Sequence, residues 1–482
     1  MSLSGALSNA MSGLTANARG TTIVSSNIAN ALNEHYGRRD LILGANATQS
    51  SGGVSIAGVE RSYDPILAHR KRHALANYAS AKVAAKFTGD LEQLVGSIDT
   101  AGSLSNILTR LETALISAAS DPSSETRLRN ISHAAEGFAA DLRAASHGID
   151  ALRANADAQI STMLEVLNSG LSQIEELNSQ IMTAAHLDQD PHGLMDQRDA
   201  TLNAVSQIVP VRVVQRESGA IAVFTAQGRT LLDEKAVTFS FAPSSAVMPH
   251  MTVANGLLSK LRIDGNEIDV PGSGRMNGGA LEAQFLLRDD HAPAAQGRLD
   301  AIARETVDLF GSGGPDITLG PGDAGVFTDA GSAFVPTDQT GLAGRITLNP
   351  ALAVSSNEIW RWRDGIGAAA RGDAGESRLL LALRDQVIVP RPPASTILGN
   401  APLGLVDHVQ EMSNGAAASR VRSSEMLDTA SAQLDHARQT VAADGVNTDQ
   451  ELQKLIELEK SYAANARVVQ VVDDMLSELL RI

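Results

Sequence analysis

The sequence predicts a mainly α protein with β-rich inserts, elongated and multi-domain: terminal coiled-coil helices, a rod of long helices, and small β domains. Three observations carry that prediction. Apolar residues keep heptad spacing at both ends of the chain, they step by threes and fours from Leu128 to Ile181, and they alternate in short runs between Val209 and Val270. At 482 residues the chain is too long for one simple core. The division that follows is a terminal helical domain of residues 1–40 and 446–482 and a helical rod of 41–206, 281–312 and 404–445. A β-rich insert of 207–280 and a second loop- and β-rich insert of 313–403 complete it.

Taken in order, the first segment carries Leu3, Leu7, Leu14, Val24, Ile28 and Leu32 at heptad-like spacing, with Ala6, Ala10, Ala18 and Ala31 between them. The rest of it is mostly Ser, Asn, Thr and Gly. These are weak helix formers, so a helix here is marginal until it finds a partner. Leu41 to Arg61 alternates loosely around Ser50-Ser51-Gly52-Gly53 and reads as a short hairpin or extended arm. Helix resumes after Pro65. His69-Arg70-Lys71-Arg72-His73 sets two histidines four apart, a metal-ligand spacing, but no third ligand lies nearby in sequence and the cluster reads as a solvated basic face. Leu91 to Ser117 reads as a further amphipathic helix, closed by Ser120-Asp121-Pro122.

The long run follows, through Leu128, Ile131, Phe138, Leu142, Ile149, Leu152, Ala156, Ile160, Leu167, Leu171, Ile174 and Ile181. With no proline between Pro122 and Pro191, it predicts one helix of about 60 residues and ~90 Å. The 3-4-4 stepping from Ile149 to Ile160 relaxes a left-handed supercoil and lets the rod straighten. Asp188-Gln189-Asp190-Pro191-His192-Gly193, with Asp196 and Asp199, approaches a calcium loop. His192 at the fifth position, Asp199 at the twelfth and the rigid Pro191 make it instead a helix–turn–helix corner capped by carboxylates.

Strands come next. Val209, Val211 and Val213 alternate up to Ser218-Gly219, and Ile221 and Val223 alternate back to Gln227-Gly228. Val237 to Phe241, Leu257 to Ile263 and Ile268 to Val270 continue the pattern around an Asp264-Gly265 turn. Leu281 to Phe310 returns to helix, interrupted near Pro293, with Leu299, Ile302, Thr306 and Leu309 on one face; it either rejoins the rod or packs on the insert. Gly320-Pro321-Gly322-Asp323-Ala324-Gly325 matches a dinucleotide fingerprint in letters, but Val326-Phe327-Thr328-Asp329 cannot open the helix that chemistry requires. Trp360 and Trp362, between Arg361 and Arg363, read as core anchors of the second insert, which ends at Pro390-Arg391-Pro392-Pro393. Val406 to Val441 is helix again, with Val409, Met412, Val421, Met426 and Leu434 at its apolar positions.

The last helix opens after Asp444-Gly445, with Thr448-Asp449-Gln450-Glu451 as a capping box. Leu455, Tyr462, Val469 and Leu476 form one column, Leu458, Val472 and Leu479 a second, and Val468, Met475 and Ile482 widen the stripe. So broad a stripe is more than one partner helix covers. Composition then excludes several classes of function. A net charge of -16 argues against nucleic acid, the absence of cysteine removes disulfides and thiolate sites, and no run reaches the ~18 apolar residues of a membrane span. The N-terminus shows neither a basic n-region nor an apolar h-region, so no cleaved signal peptide is expected. No H-E-x-x-H, G-x-S-x-G or Gly-Lys occurs, so no catalytic residue, cofactor or metal is assigned.

Ser26-Asn27-Ile28-Ala29-Asn30-Ala31, followed by Tyr36 and Arg38, resembles the N-terminal motif of bacterial flagellar rod, hook and hook-associated proteins. Ser461-Tyr462-Ala463-Ala464-Asn465-Ala466-Arg467-Val468, with Asp473-Asp474-Met475-Leu476, resembles their C-terminal motif. His35 departs from the usual Gly before the Tyr, and Asn33 from a common Thr. Leu194-Met195-Asp196-Gln197-Arg198-Asp199 resembles a stretch of the members that join hook to filament. The resemblance implies a secreted structural protein, exported through the flagellar type III apparatus without signal cleavage, and laid as an adaptor ring. Its implied partners are further copies of itself, the hook protein, the second junction protein (hook-associated protein 3) and an export chaperone, with no cofactor, no nucleic acid and no membrane insertion. The assembly interface is expected at Leu7, Leu14, Asn27, Ile28, Asn30, Tyr36, Leu455, Tyr462, Asn465, Val469, Val472, Leu476 and Leu479, and the chaperone surface at Val468, Val472, Met475, Leu476, Leu479 and Ile482. Two other classes remain open on residues alone: another extracellular coiled-coil shaft, such as a phage tail or adhesin, and an enzymatic or ligand-binding module carried by the β inserts.

Overall fold

A computed structural model of the chain describes residues 3–45, 52–96, 103–270 and 275–480. The first helix, α1 (Leu3–Ala29), leads into an antiparallel hairpin of β1 (Arg39–Ala45) and β2 (Val54–Arg61), in which Arg39 faces Arg61 and Ala45 faces Val54. Ser50 and Ser51 of the expected turn lie outside the described residues. Helix α2 (Pro65–Val95) starts where expected, because Asp64 Oδ1 accepts from the backbone N–H groups of Ile66 and Leu67.

The expected helix Leu91–Ser117 is two elements. α2 stops at Gly96, whose φ of 82° favours glycine and whose added Cβ would lie 2.7 Å from Ser103 Cα. Ser103 then caps α3 (Leu104–Ser120) through Oγ and the Asn106 N–H. The basic cluster at the start of α2 also differs from expectation. His69, Arg70 and His73 are exposed, but Lys71 and Arg72 are buried.

Helix α4 (Glu125–His186) runs 62 residues, ~93 Å, and organises the molecule. Its inward positions serve two apolar clusters in succession. From Leu128 to Ala156 it packs with α2, α3 and helices from the later part of the chain; from Ile160 to Ile174 it packs with the helix and the strands that follow it. After a corner at Asp188, where φ is +53°, α5 (His192–Ile208) returns along α4. Asp190 Oδ1 accepts from the His192 N–H at that corner, so a carboxylate caps the return helix as the sequence indicates.

The first insert forms two three-stranded antiparallel sheets. One is β3 (Val211–Gln215), β4 (Ile221–Thr225) and β5 (Thr230–Leu232); the other is β6 (Phe239–Ser240), β7 (Leu261–Ile263) and β8 (Asn266–Ile268). Asp264 (φ 48°) and Gly265 (φ 82°) make the turn between β7 and β8. The strand expected over Leu257–Ile263 is shorter, starting at Leu261, because Val253–Gly256 turns first. These sheets lie on the distal half of α4 and share its core through Val211, Ile221, Val223, Leu231 and Leu261.

α6 (Gly279–Leu286), a π-turn over Leu287–His291 and α7 (Ala292–Leu309) answer the question the sequence left open: the segment does both. Leu281 and Phe285 join the insert core, while Leu299 and Ile302 join the rod core. Pro293 follows directly on the π-turn of a helix that is continuous from α6, so the irregular turn stands where proline removes a donor. Between the two clusters lies a polar knot. Arg288 Nη1 donates to Asp157 Oδ1 at 2.7 Å with both side chains buried, and Arg153 donates to the carbonyls of Arg288, Met248 and Met251.

The second insert, expected as loop- and β-rich, consists largely of turns and irregular loops. It holds one two-stranded pair, β9 (Phe327–Asp329) with β10 (Ile346–Leu348), then α8 (Arg361–Asp364) and α9 (Arg378–Ile388), which packs on α3. Trp362 anchors it as expected, buried with Nε1 donating to Ser132 Oγ on α4 at 2.8 Å. The glycine run at 320–325 leads into β9, a strand and no helix. α10 (Leu405–Ala443) returns along α2, burying Val409, Met412 and Leu434, while Val421 and Met426 are exposed, against expectation. α11 (Thr448–Leu479) closes the chain against α1. Its N-cap is Asn447, whose Oδ1 accepts from Asp449 and Gln450, and not Thr448.

Candidate assembly site

The two terminal helices meet because α1 presents a narrow face to larger side chains of α11. They run antiparallel in a register that places Gly13 against Asn465, Asn17 against Ser461, Gly20 against Leu458 and Asn27 against Glu451. A Cβ added at Gly13 would lie 2.6 Å from Asn465 Nδ2, and one at Gly20 would lie 3.1 Å from Leu458 Cδ2. With Ala10 and Ala16 buried beside them, small residues on α1 make room for the side chains of α11. Asn17 Nδ2 donates to Ser461 Oγ at 2.9 Å across the seam. The abundance of Gly, Ala and Asn that weakens α1 alone is therefore what fits it to α11.

The sequence-predicted residues divide into three groups. Asn27 and Val472 are buried in the pair; Leu7, Leu14, Ile28, Asn30, Tyr36, Leu455, Asn465 and Val469 are half-buried. Tyr462, Val468, Met475, Leu476 and Leu479 are exposed, Leu479 at 59% and Met475 at 52%. Ile482 lies outside the described residues. Leu32 falls off the predicted stripe, since α1 ends at Ala29 and Leu32 is 99% exposed. The stripe on α11 is thus covered on one side by α1 and open on the other.

The base of the pair is a polar joint built on Asn27. Its Oδ1 accepts from Tyr36 Oη (2.8 Å) and the Arg39 N–H (3.1 Å), and its Nδ2 donates to the Arg39 carbonyl (2.9 Å) and Glu451 Oε2 (3.0 Å). All four hydrogen-bonding positions of the amide are used, which compensates its complete burial. Glu451 was expected in a capping box; it is instead buried, reaching across to Asn27. Lys454 Nζ lies 2.8 Å from Asp40 Oδ1 and 3.5 Å from Glu451 Oε1. Burial works to raise the Asp40 carboxyl, but hydrogen bonds from Lys454 and Arg38 outweigh it and hold the group below its usual range.

The Asp196–Asp199 motif ties this joint to the rod. One turn apart on α5, both carboxylates face the arm: Asp196 Oδ1 accepts from the Gly37 N–H (3.0 Å) and Arg61 Nε (2.8 Å), and Oδ2 from Arg39 (3.2 Å). Asp199 Oδ2 accepts from Arg61 Nη2 at 2.7 Å. Burial opposes the Arg61 charge, yet Asp199 and Asp196 together raise its pKa. Arg198, between them, points the other way, donating to Asn178 Oδ1 and the Gly219 carbonyl, where Asn178 also pairs with the backbone of Ile221. One short motif therefore fastens arm, rod and insert together. Sequence reasoning missed Asp40, Glu451, Lys454 and Arg61 as members of the joint. Their partners are brought near only by the antiparallel return of the chain. The i,i+3 spacing of Asp196 and Asp199 was the one available signal.

Among the described residues no group of three or more His, Asp or Glu side chains converges as a metal site, and no helix is long and apolar enough to cross a membrane. The site offers helix pairing and polar locking.

Comparison with known proteins gives these features a context. Residues 88–312 match the family described as the helical domain of flagellar hook-associated protein FlgK, and residues 438–482 match the C-terminal family of flagellar basal body rod proteins FlgEFG. The chain is similar to flagellar hook-associated protein 1 of Salmonella typhimurium, 28% identical over 321 residues that cover 64% of this chain and 56% of that protein. The matched region thus spans about half the length of that relative. Similarity to flagellar hook-associated protein 1 of Bacillus subtilis is 23% over 515 residues, 98% and 97% of the two chains. Among solved structures, the flagellar hook junction protein FlgK from Burkholderia pseudomallei aligns with a TM-score of 0.42 at 23% identity, covering 54% of this chain and 46% of that one.

Proposed function

Because this chain belongs to the family of flagellar hook-associated protein 1, we propose that it is a structural adaptor at the junction of hook and filament. It leaves the cell through the type III apparatus and assembles as a ring of copies. The paired termini make the ring, and the two inserts face outward from the rod. Its neighbours in this reading are the hook protein on one side and the second junction protein on the other. The role is architectural, not catalytic.

The observation that carries the reading is the half-covered C-terminal helix. Leu476, Leu479, Met475, Val468 and Tyr462 stand exposed on a helix whose opposite side is fixed to α1 by Asn27, Gly20 and Gly13. An apolar strip of this kind on a soluble chain marks an interaction surface. Burying four or five such side chains stabilises a contact by roughly 1.5–3 kcal/mol each before ordering costs. Neighbouring copies cover the strip after assembly, and an export chaperone covers it before. Val472 differs from the others: it is already buried in the chain, so Leu476 is the cleaner probe of the shared surface.

Deletion of the gene is expected to leave intact hooks without filaments, and the wild-type gene to restore them. Complementation with Leu476→Asp should fail to restore filaments and should weaken capture by the chaperone at least tenfold. Glu457→Lys, on an exposed position, should behave as wild type. Attached filaments in the deletion strain would dismiss the junction role. Loss of filaments with intact chaperone capture would assign the two partners separate surfaces.

A further inference from the structure

A cavity of about 690 Å³ lies where the hairpin arm, the rod and the first insert meet, bounded by Arg61 of β2, Tyr63, Arg72 of α2, Arg198 of α5 and Arg212 of β3. Its volume is in the range of ligand-binding pockets. Its charge is unusual for this chain. Four guanidinium groups line it against two carboxylates, Asp199 and Glu60, in a protein of net charge -16. The surplus is real once existing pairs are removed. Arg61 is committed to Asp196 and Asp199. Arg72, 3% exposed, donates to the neutral Tyr63 Oη at 2.9 Å and makes only a long ion pair, 3.9 Å, with Asp199, which Arg61 already engages. Arg198, 8% exposed, donates only to neutral acceptors, and its Nε has no partner. The Arg212 guanidinium stands on the exposed rim with no hydrogen bond or ion pair among the described residues.

We propose that this cavity binds an anionic group, a carboxylate or phosphate, held by Arg72 and Arg198 within and Arg212 at the rim. Guanidinium forks suit such groups because two parallel N–H donors match two oxygens. Burying cations without counter-charge is costly, so the site favours whatever anion enters it. The field is visible on the His69 ring at the same cavity: burial, then Arg72, His73 and Arg212, push its pKa down. Burial and the like charges of Arg61 and Arg72 likewise outweigh Asp199 at Arg198. The same chemistry is offered by a free small anion and by an acidic side chain of a second copy.

The test uses the full purified chain. Inorganic phosphate or citrate, compared with sodium chloride at equal ionic strength, should raise Tm by about 1–3 °C and raise the His69 pKa followed by NMR. Arg212→Glu should abolish both effects, whereas Arg422→Glu, the same charge change at an exposed position on α10, should retain them. If the occupant is an acidic side chain of a second copy, the free anions will have little effect. Sedimentation should then show self-association that Arg212→Glu weakens about tenfold and Arg422→Glu does not. Equal responses in the two variants, or neither Tm shift nor Arg212-dependent association, would overturn the site. None of these measurements depends on the junction role.

Discussion

Asp150, on the rod half of α4, shows what a single buried charge costs. Its Oδ1 meets no donor, and burial pushes its pKa from 3.8 up to about 6, with Arg153 and His147 opposing and Asp300 adding. Asp300 has the better arrangement, accepting from the Gly341 and Ala343 N–H groups at 2.8 and 2.9 Å and from Gln296. Because the folded pKa of Asp150 lies above the unfolded one, the folded state binds the proton more tightly. Stability is therefore lost as pH rises from about 4 through 6, and the full cost is present at pH 7. With the group only half withdrawn from water, that cost is about 1–2 kcal/mol. Asp150→Asn should stabilise the protein by about that amount at pH 7 and by little at pH 4. Denaturant unfolding at both pH values reads the difference, and an equal gain at the two would show that charge is not the cause. Asn27 is the counter-example: more deeply buried, but with every hydrogen-bonding position filled.

Among elements, the α1–α11 pair depends on what is missing from its seam. At Gly20 the nearest neighbours are the Leu458 methyls, 3.1 and 3.2 Å from where a Cβ would stand. An alanine there needs only a small shift of a flexible side chain and gains helix propensity, so Gly20→Ala should be close to neutral. Gly20→Leu has no such room and should separate the helices at a cost of about 1–3 kcal/mol. Hydrogen exchange of α11 amides should then accelerate about tenfold or more, while α4 stays protected. Unchanged protection in α11 would mean that the pair is held elsewhere along its length. α4 presents the contrasting design. It has large apolar residues along most of its inward face, and it changes partners at Asp157, where the buried pair with Arg288 separates a helical core from a strand-covered one.

The molecule as a whole is unevenly stabilised. The rod core runs from Phe87 through α4 and α7 to Met412, whereas Val472 and Glu451 are the buried residues of α11 among those described. Segments with few buried apolar contacts open first. Trypsin should therefore cut the isolated chain early at Arg19, Lys460 and Arg467, all exposed on the terminal helices. The resistant core should begin near residue 40, keeping the hairpin arm, and end between residues 405 and 445. Mass spectrometry of the fragments gives the boundaries directly. Termini that survive as long as α4 would show that the pair is stable by itself and does not wait for neighbours. The hairpin arm belongs with the core in this account, because Arg61 and Arg39 bind it to Asp196 and Asp199 on α5.

Periodicity is a local property, and what depends on it was legible in the residues. The 62-residue α4, the corner at Asp190, the Asp264-Gly265 turn and the two terminal helices all follow from spacing, turn chemistry and the absence of proline. The motif residues Asn27, Tyr36, Asp196 and Asp199 were also marked in the sequence, though as a resemblance and without their partners. What the chain order could not supply was proximity. Glu451 reads as a helix cap because Thr448 precedes it, but its contact is Asn27, 424 positions away. Lys71 and Arg72 read as solvated because charge usually is, until arm and rod close over them. α9 has a clear apolar face, yet the surrounding Gly and Pro hide it. Local rules fix which backbone conformation costs least; which side chains are buried, and which charges are left uncompensated, is decided by elements far apart in sequence that share one volume.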